Sequence, residues 1–278
     1  MNINGHDIGV CSWSLRPKNM ADLVDQVRRL GLEHMQLSLL ELVQADEAGR
    51  AAELAVLKDS GIKLTAGMMH FADEDYTTIA IIRNTGGFLP NEFWPARKEL
   101  MLAAGRLAAQ LGFESLTAHA GFIPPSSHET YALLVDRMRE LAAAYATLGV
   151  GLTLETGQES ADELLRFLID LDVKNVFVNF DPANMILYGS GDPIDAVQML
   201  GRHIRHVHVK DAVLSSQPGM KWGDEVPFGV GQVGPWQFLQ ALAGVGYAGP
   251  LCVEREAGQD RFGDVQYAIQ SLKHAGTQ

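Results

Sequence analysis

The strongest constraint on this chain is an alternation that runs along its length: eight short β-like runs, each followed by an amphipathic stretch of helical period. The runs lie near residues 8–13, 34–39, 62–69, 115–119, 151–155, 176–181, 204–209 and 251–255. The amphipathic stretches lie near 19–30, 47–59, 95–111, 128–148, 160–171, 192–201, 234–244 and 261–274. Short β-branched and apolar runs read as strands, and longer stretches with apolar residues three and four apart read as helices. Eight such units in succession predict an α/β chain folded as a (β/α)8 TIM barrel, with eight parallel strands inside a ring of helices. The 278 residues are close to the roughly 250 such a barrel takes, so one domain over residues 1–278 is expected. Gly31, Gly61, Gly112 and Gly149 follow helical stretches, where a left-handed residue closes a helix.

Within that frame the stretch 204–211, Ile-Arg-His-Val-His-Val-Lys-Asp, has two faces. Side chains of period two put His206, His208 and Lys210 on one of them. The same parity pairs Glu155 with Thr153 on the fifth strand, Asp181 with Asn179 on the sixth and Glu254 with Cys252 on the eighth. It pairs His119 with Thr117 on the fourth strand and Gln36 with Ser38 on the second. A barrel interior is usually filled by branched apolar side chains, so a polar inner face at strand after strand is an anomaly. The polarity converges on the C-terminal ends of the strands, where these barrels keep their chemistry.

Three carboxylates and a histidine at the ends of strands five to eight repel and desolvate one another unless protons or a cation compensate. One divalent metal with mixed oxygen and nitrogen ligands is the economical answer; the plainer one is a buried salt-bridge cluster. Hard oxygens with one imidazole favour Mn2+ or Mg2+ and admit Co2+, Zn2+ or Fe2+, with positions left open for substrate. His206, one layer lower, is expected to support the site by hydrogen bonding rather than to bind metal.

Charge narrows the partners. Lys and Arg total 22 against 34 Asp and Glu, a formal charge of −12. A surface that acidic repels polyphosphates, and no Lys/Arg run offsets it, so nucleic acid is not an expected partner. No apolar stretch reaches membrane-spanning length, and the opening residues carry no basic segment followed by an apolar one, so neither a membrane nor a secretory signal is expected. Cys11 and Cys252 cannot make a disulfide framework and are read as small buried thiols of a cytoplasmic protein. Two connections, 70–94 and 211–233, are long and follow strands, so both should overhang the rim as lids or substrate walls.

Five motifs recur in order: Leu-Glu-Thr at 154–156, Asn-Phe-Asp-Pro-Ala-Asn at 179–184, His-Val-His-Val-Lys-Asp at 206–211, Pro-Phe-Gly-Val-Gly-Gln-Val at 227–233 and Val-Glu-Arg at 253–255. None is specific alone, but their succession over nearly the whole chain resembles the xylose isomerase-like TIM barrels of the sugar phosphate isomerase/epimerase family. The resemblance implies a metal held by Glu155, Asp181, His208 and Glu254. It also implies that Glu155 and Glu254 are the catalytic acid/base pair, moving a proton beside a carbonyl through an enediolate. A metal-dependent isomerase or epimerase of carbohydrate metabolism, acting on a sugar or keto-sugar, is the expected activity. A lyase or dehydratase uses the same enediolate when an acid stands over the leaving hydroxyl. A non-catalytic metal- and sugar-binding subunit with a redox partner is the third reading, and the two intact glutamates speak against it. Acidic barrels with overhanging loops often pair, so a homo-oligomer is compatible with the sequence.

The departures are informative. Asn184 stands where ketose 3-epimerases carry a histidine, Leu214 where they carry an arginine and Ala161 where they carry a glutamate. These argue against epimerisation of a free ketohexose. The apurinic endonucleases of the same superfamily place metal ligands at the positions of His70 and His119. Val226-Pro227-Phe228 stands where a further ligand of theirs belongs, so DNA repair is rejected. Trp13, His70, His119, Asn184 and Lys210 are expected to contact substrate instead, Trp13 by stacking, the two histidines through hydroxyls and Lys210 by neutralising an oxygen. Plainer roles stand beside these: core packing for Trp13, a hydrogen-bonded core imidazole for His119, a solvated loop lysine for Lys210. The glycines of 229–234 lie where barrels often bind phosphate, but a plain turn explains them and no basic residue adjoins them, so no phosphorylated substrate is inferred.

Overall fold

The structure, a computed structural model, describes residues 1–277. All eight expected strands form: β1 (His6–Cys11), β2 (His34–Ser38), β3 (Lys63–Met68), β4 (Ser115–Ala118), β5 (Gly151–Glu155), β6 (Val176–Phe180), β7 (Ile204–Val209) and β8 (Leu251–Val253). They pair in the order β1-β8-β7-β6-β5-β4-β3-β2, each pair parallel, and β1 pairs with β2 to close the barrel. The outer ring is α1 (Met20–Arg29), α2 (Glu47–Ser60), α3 (Trp94–Leu111), α4 (Tyr131–Leu148), α5 (Ala161–Leu171), α6 (Pro193–Leu200), α7 (Pro235–Gly244) and α8 (Arg261–Ala275).

Local chemistry sets these boundaries. At the start of α5 the Ser160 hydroxyl accepts from the Glu163 N–H while the Glu163 carboxylate accepts from the Ser160 N–H, a reciprocal cap. The helix then buries Leu164, Phe167, Leu168 and Leu171, one stripe at helical spacing. Gly61, Gly112 and Gly149 close α2, α3 and α4 in the left-handed conformation. Outward strand residues such as Leu152, Val178, Phe180 and Val207 are fully buried against the helices, with the Phe180 ring stacked on Phe238. Each such side chain is worth about 2 kcal/mol. The apolar layer that stabilises the barrel therefore lies outside the strands, which leaves the interior free to be polar.

That interior is a hydrogen-bonded stack. Thr117 and Thr153 share a hydroxyl contact at 2.7 Å, and the Gln36 amide donates to Thr117 at 3.0 Å. His206 lies 2.8 Å from Asn179 Oδ1 and 3.0 Å from Thr65 Oγ1, the supporting role expected of it. Buried polar groups satisfied in this way cost little and hold one arrangement. Cys11 and Cys252 are free, buried thiols.

One expectation about the rim is corrected. Strand β1 stops at Cys11, so Trp13 lies in a 3-10 turn (Ser12–Leu15) rather than at a strand end. The chain turns because the Ser12 hydroxyl accepts from the Ser38 N–H of the neighbouring strand end. The long connections are also structured. The first carries a short helix (Ile79–Thr85), and the second a hairpin that pairs Asp211–Val213 with Asp224–Val226. They meet over the rim, where the Trp222 indole donates to the Tyr76 carbonyl at 3.1 Å. Two further short helices, Leu40–Gln44 and Pro182–Tyr188, follow β2 and β6. Among the described residues no helix is long and apolar enough to cross a membrane.

Candidate metal centre

Four adjacent strands each bring one side chain to the same point. Glu155 ends β5, Asp181 follows β6, His208 lies near the end of β7 and Glu254 follows β8. One candidate ligand atom from each lies within 4.8 Å of the others, and all four residues are buried. His208 Nδ1 stands 3.3 Å from Glu155, 3.6 Å from Asp181 and 3.2 Å from Glu254.

The surroundings orient every member. Gln36 Oε1 lies 2.6 Å from His208 Nε2, and the Gln36 amide is fixed by its donation to Thr117. A carbonyl oxygen can only accept, so the Nε2 hydrogen is spent there and Nδ1 faces the carboxylates. Gln36 follows a register shift between β2 and β3, and Asn179 follows one between β6 and β7. Such irregularities re-aim side chains beside sites. Asp181 caps the helix Pro182–Tyr188 through Oδ1, which accepts from the N–H groups of Ala183 and Asn184. Its Oδ2 is left to the centre. Asn184 Nδ2 donates to Glu155 Oε1 at 2.9 Å. Both oxygens of Glu254 are engaged, Oε1 by the Trp13 indole at 2.7 Å and Oε2 by Lys210 Nζ at 2.8 Å.

Lys210 is 2 % exposed and also reaches Glu256 at 2.6 Å and Asp181 at 3.6 Å. The plainer expectation of a solvated loop lysine is therefore corrected: cross-strand carboxylates hold it inside.

Burial alone raises the Glu155 carboxyl, but the His119 and His208 imidazoles more than offset this and hold it below the usual range. Burial likewise raises Glu254 and Asp181, and Lys210 with His208 brings both down. Burial lowers His208, yet Glu254 and its other acidic neighbours raise it well above an ordinary imidazole. The cluster keeps its carboxylates ionised only by gathering positive charge.

The residues fit a divalent cation. Glu155 Oε2 and Asp181 Oδ2 are buried without a hydrogen-bond partner. The nearest cationic nitrogens stand 3.6 or 3.7 Å from them, beyond hydrogen-bond range. The three carboxylates outnumber the one ammonium of Lys210, which Glu256 also shares, so with His208 neutral the centre keeps an excess of negative charge of at least two for a divalent ion to offset. Three carboxylates with one imidazole form a hard donor set suited to Mn2+ or Mg2+.

The other expected contact residues fall around this centre to different degrees. Trp13, Asn184 and Lys210 touch candidate ligands directly. His119 is 13 % exposed, and its Nε2 lies 3.7 Å from Glu155 Oε2. Its Nδ1 is buried and unpartnered. His70 is half-buried on the connection after β3, where the described residues give its side chain no hydrogen bond or ion pair.

The sequence reading assigned no role to Gln36, Glu256, Glu225 or Asp211. Glu225 accepts from Arg255 and from the N–H groups of Glu256 and Ala257, holding the loop after β8 in place. Asp211 accepts from the N–H groups of Ala212, Gly229, Gly231 and Val233. The glycine run thus wraps a carboxylate of the protein itself, and donors that could cradle a phosphate are already used.

A closed parallel barrel with acids and an imidazole converging on one rim defines the class, and the comparisons give the family. The chain belongs to the xylose isomerase-like TIM barrel family, whose profile matches residues 24–275. It is similar to the crystal structure of a xylose isomerase domain protein from Planctomyces limnophilus, with a TM-score of 0.88 and 33% identity over 97% of this chain and 96% of that one. The fold is shared with a xylose isomerase-like TIM barrel protein from Mycobacterium smegmatis in complex with magnesium, at a TM-score of 0.74 and 18% identity over 99% of each chain. Among curated sequences, an inosose dehydratase from Clostridium botulinum is 23% identical over 163 residues, 53% of this chain. The match spans 54% of that enzyme's length.

Proposed function

We propose that this chain is a divalent-metal-dependent enzyme, an isomerase or epimerase, that moves a proton beside the carbonyl of a sugar or keto-sugar. The observation that carries the reading is the set of four buried side chains, Glu155, Asp181, His208 and Glu254, gathered at the open end of the barrel. A divalent cation held there, Mn2+ or Mg2+ by donor chemistry, supplies the positive charge that acidifies a C–H next to a carbonyl.

The protein's own residues do the rest. Glu155 carries the proton at its free Oε2, steadied by Asn184 on its other oxygen and faced by His119. Glu254, aimed by Trp13 and Lys210, is the second carboxylate of the pair. Lys210 sets a buried ammonium where negative charge develops on an enediolate, in a site where such charges act strongly. The two long connections, tied through Trp222 and Tyr76, keep water from the reacting carbon.

One observation favours a second reading. Both Glu254 oxygens are occupied, which leaves Glu155 as the free base of the pair and the Lys210 ammonium beside the centre as a hydrogen-bond donor to a departing hydroxyl. That arrangement suits elimination of a hydroxyl, a dehydratase. Metal analysis of the purified protein, with a solvent-deuterium exchange screen over aldoses, ketoses and 3-keto sugars, tests both. One bound divalent ion and exchange with retained formula support the isomerase; loss of water supports the dehydratase. Metal-free protein whose stability does not respond to Mn2+, Mg2+, Co2+ or Zn2+ overturns the proposal.

A further inference from the structure

A cavity of about 460 Å3 opens beside the barrel mouth, among the 3-10 turn after β1, the start of α1 and the short helix Leu40–Gln44. Its size falls within the roughly 300–1,000 Å3 of pockets that hold a small ligand. Trp13 is the wall it shares with the metal centre. The ring lines the cavity, its Nε1 donates to Glu254 at 2.7 Å, and its edge approaches the His208 ring with centroids 6.0 Å apart. The indole thus borders both the carboxylate centre and the cavity.

The lining identifies what the cavity takes. Trp13 and the leucines among the lining residues give apolar surface, Arg16 and Lys18 give donors, and Glu41 and Glu53 give acceptors. Two cations balanced by two carboxylates favour neither a phosphate nor an amine. An aromatic platform ringed by both donors and acceptors matches the apolar faces and hydroxyl rim of a neutral sugar ring. Arg16 closes the 3-10 turn in the left-handed conformation at φ 46, its N–H donating to the Trp13 carbonyl. Its exposed guanidinium has no hydrogen bond or ion pair among the described residues and is free to donate into the cavity.

We propose that this cavity is a subsite for a second sugar ring, so that the substrate is a di- or oligosaccharide rather than a free monosaccharide. The inference rests on the proposed function for what happens at the carboxylates and adds the size of the substrate.

Ala45 lines the cavity at the end of the helix Leu40–Gln44, in extended backbone that any residue adopts. Ala45→Trp would fill the space and Arg16→Ala would remove a donor. Isothermal titration of the full chain with D-glucose, D-fructose, maltose, cellobiose and sucrose, each with and without MnCl2, reads the preference. Melting temperature and Mn2+ titration serve as folding controls for each variant. At least one disaccharide should bind about tenfold or more tighter than either monosaccharide. Ala45→Trp should erase that margin, and Arg16→Ala should reduce it.

Equal affinities for mono- and disaccharides overturn the subsite, as does a margin that survives both substitutions. Tighter binding of glucuronic acid or phenyl glucoside than of every disaccharide also overturns it, in favour of an anionic or aryl group. The two readings fail separately. Mn2+ binding without a disaccharide margin removes the subsite alone. A margin that Ala45→Trp abolishes in protein that binds no metal keeps the subsite and removes the proposed function.

Discussion

Gln36 Oε1 lies 2.6 Å from His208 Nε2, and this one contact sets which nitrogen of the imidazole faces the three carboxylates. Gln36 comes from β2 and His208 from β7, with β1 and β8 between them, so the bond crosses the barrel interior. Gln36→Leu keeps the approximate volume and removes the acceptor. The imidazole is then free to rotate or change tautomer, and Mn2+ affinity should fall about 10- to 100-fold, the usual cost of losing such a support. Calorimetric titration of metal-free protein checks this; an unchanged Kd would show that the contact does not orient the ring for metal.

How much of this was legible in the amino acids follows from the range of each signal. The strands and outer helices were legible because alternation, apolar stripes and closing glycines are local. The short helices Leu40–Gln44 and Pro182–Tyr188 were not, since each continues directly from a strand end and has no period of its own. Parity exposed Glu155, Asp181, His208 and Glu254 because a two-residue period is enough to place them on the inner face. Trp13 was assigned to the wrong element, because β1 ends through a bond to Ser38 that no local pattern announces, and its indole donates to Glu254. The burial of Lys210 depends on Glu254 and Glu256, and the role of the glycine run on Asp211, pairings between residues far apart in the chain or across a loop.

Lys210→Met tests how far the centre depends on its ammonium. The Met side chain fills the same volume but leaves Glu254, Asp181 and Glu256 without their shared cation. Breaking a buried ion pair by removing one partner costs about 3–5 kcal/mol. Urea unfolding of the metal-free variant should show a loss of that order. Saturating Mn2+ should restore part of it, because a divalent charge substitutes for the missing one. A loss under about 1 kcal/mol, as for an exposed pair, would contradict the arrangement.

Gly231 has a steric reason to be glycine. A Cβ there would stand 2.3 Å from Asp211 Oδ1 and 2.5 Å from the Ala212 carbonyl. Gly231→Ala must therefore push the loop off the carboxylate and weaken its bonds to the N–H groups of Gly229, Gly231 and Val233. Asp211 remains buried with fewer donors, a cost of about 1–3 kcal/mol. Hydrogen exchange should localise the change to residues 228–233, and protection equal to the parent's would contradict the wrapped geometry.

Glu159 gives the chain a pH dependence at a carboxyl outside the four candidate ligands. It lies buried between β5 and α5, and burial, with Glu163 and Glu155 adding to it, pushes its carboxyl from 4.5 up to about 8. Between those values the folded protein keeps a proton that the unfolded chain has released. The unfolded state then binds fewer protons, so stability falls as pH rises. The contribution is complete below about pH 4.5 and lost by about pH 8, and at about 1.36 kcal/mol per pH unit it amounts to about 5 kcal/mol. Glu159→Gln cannot ionise, so its stability relative to the parent should climb by several kcal/mol between about pH 5 and pH 9. Urea unfolding of both proteins across that range reads the difference directly. A constant offset between the two curves would mean that Glu159 titrates as an exposed carboxyl does.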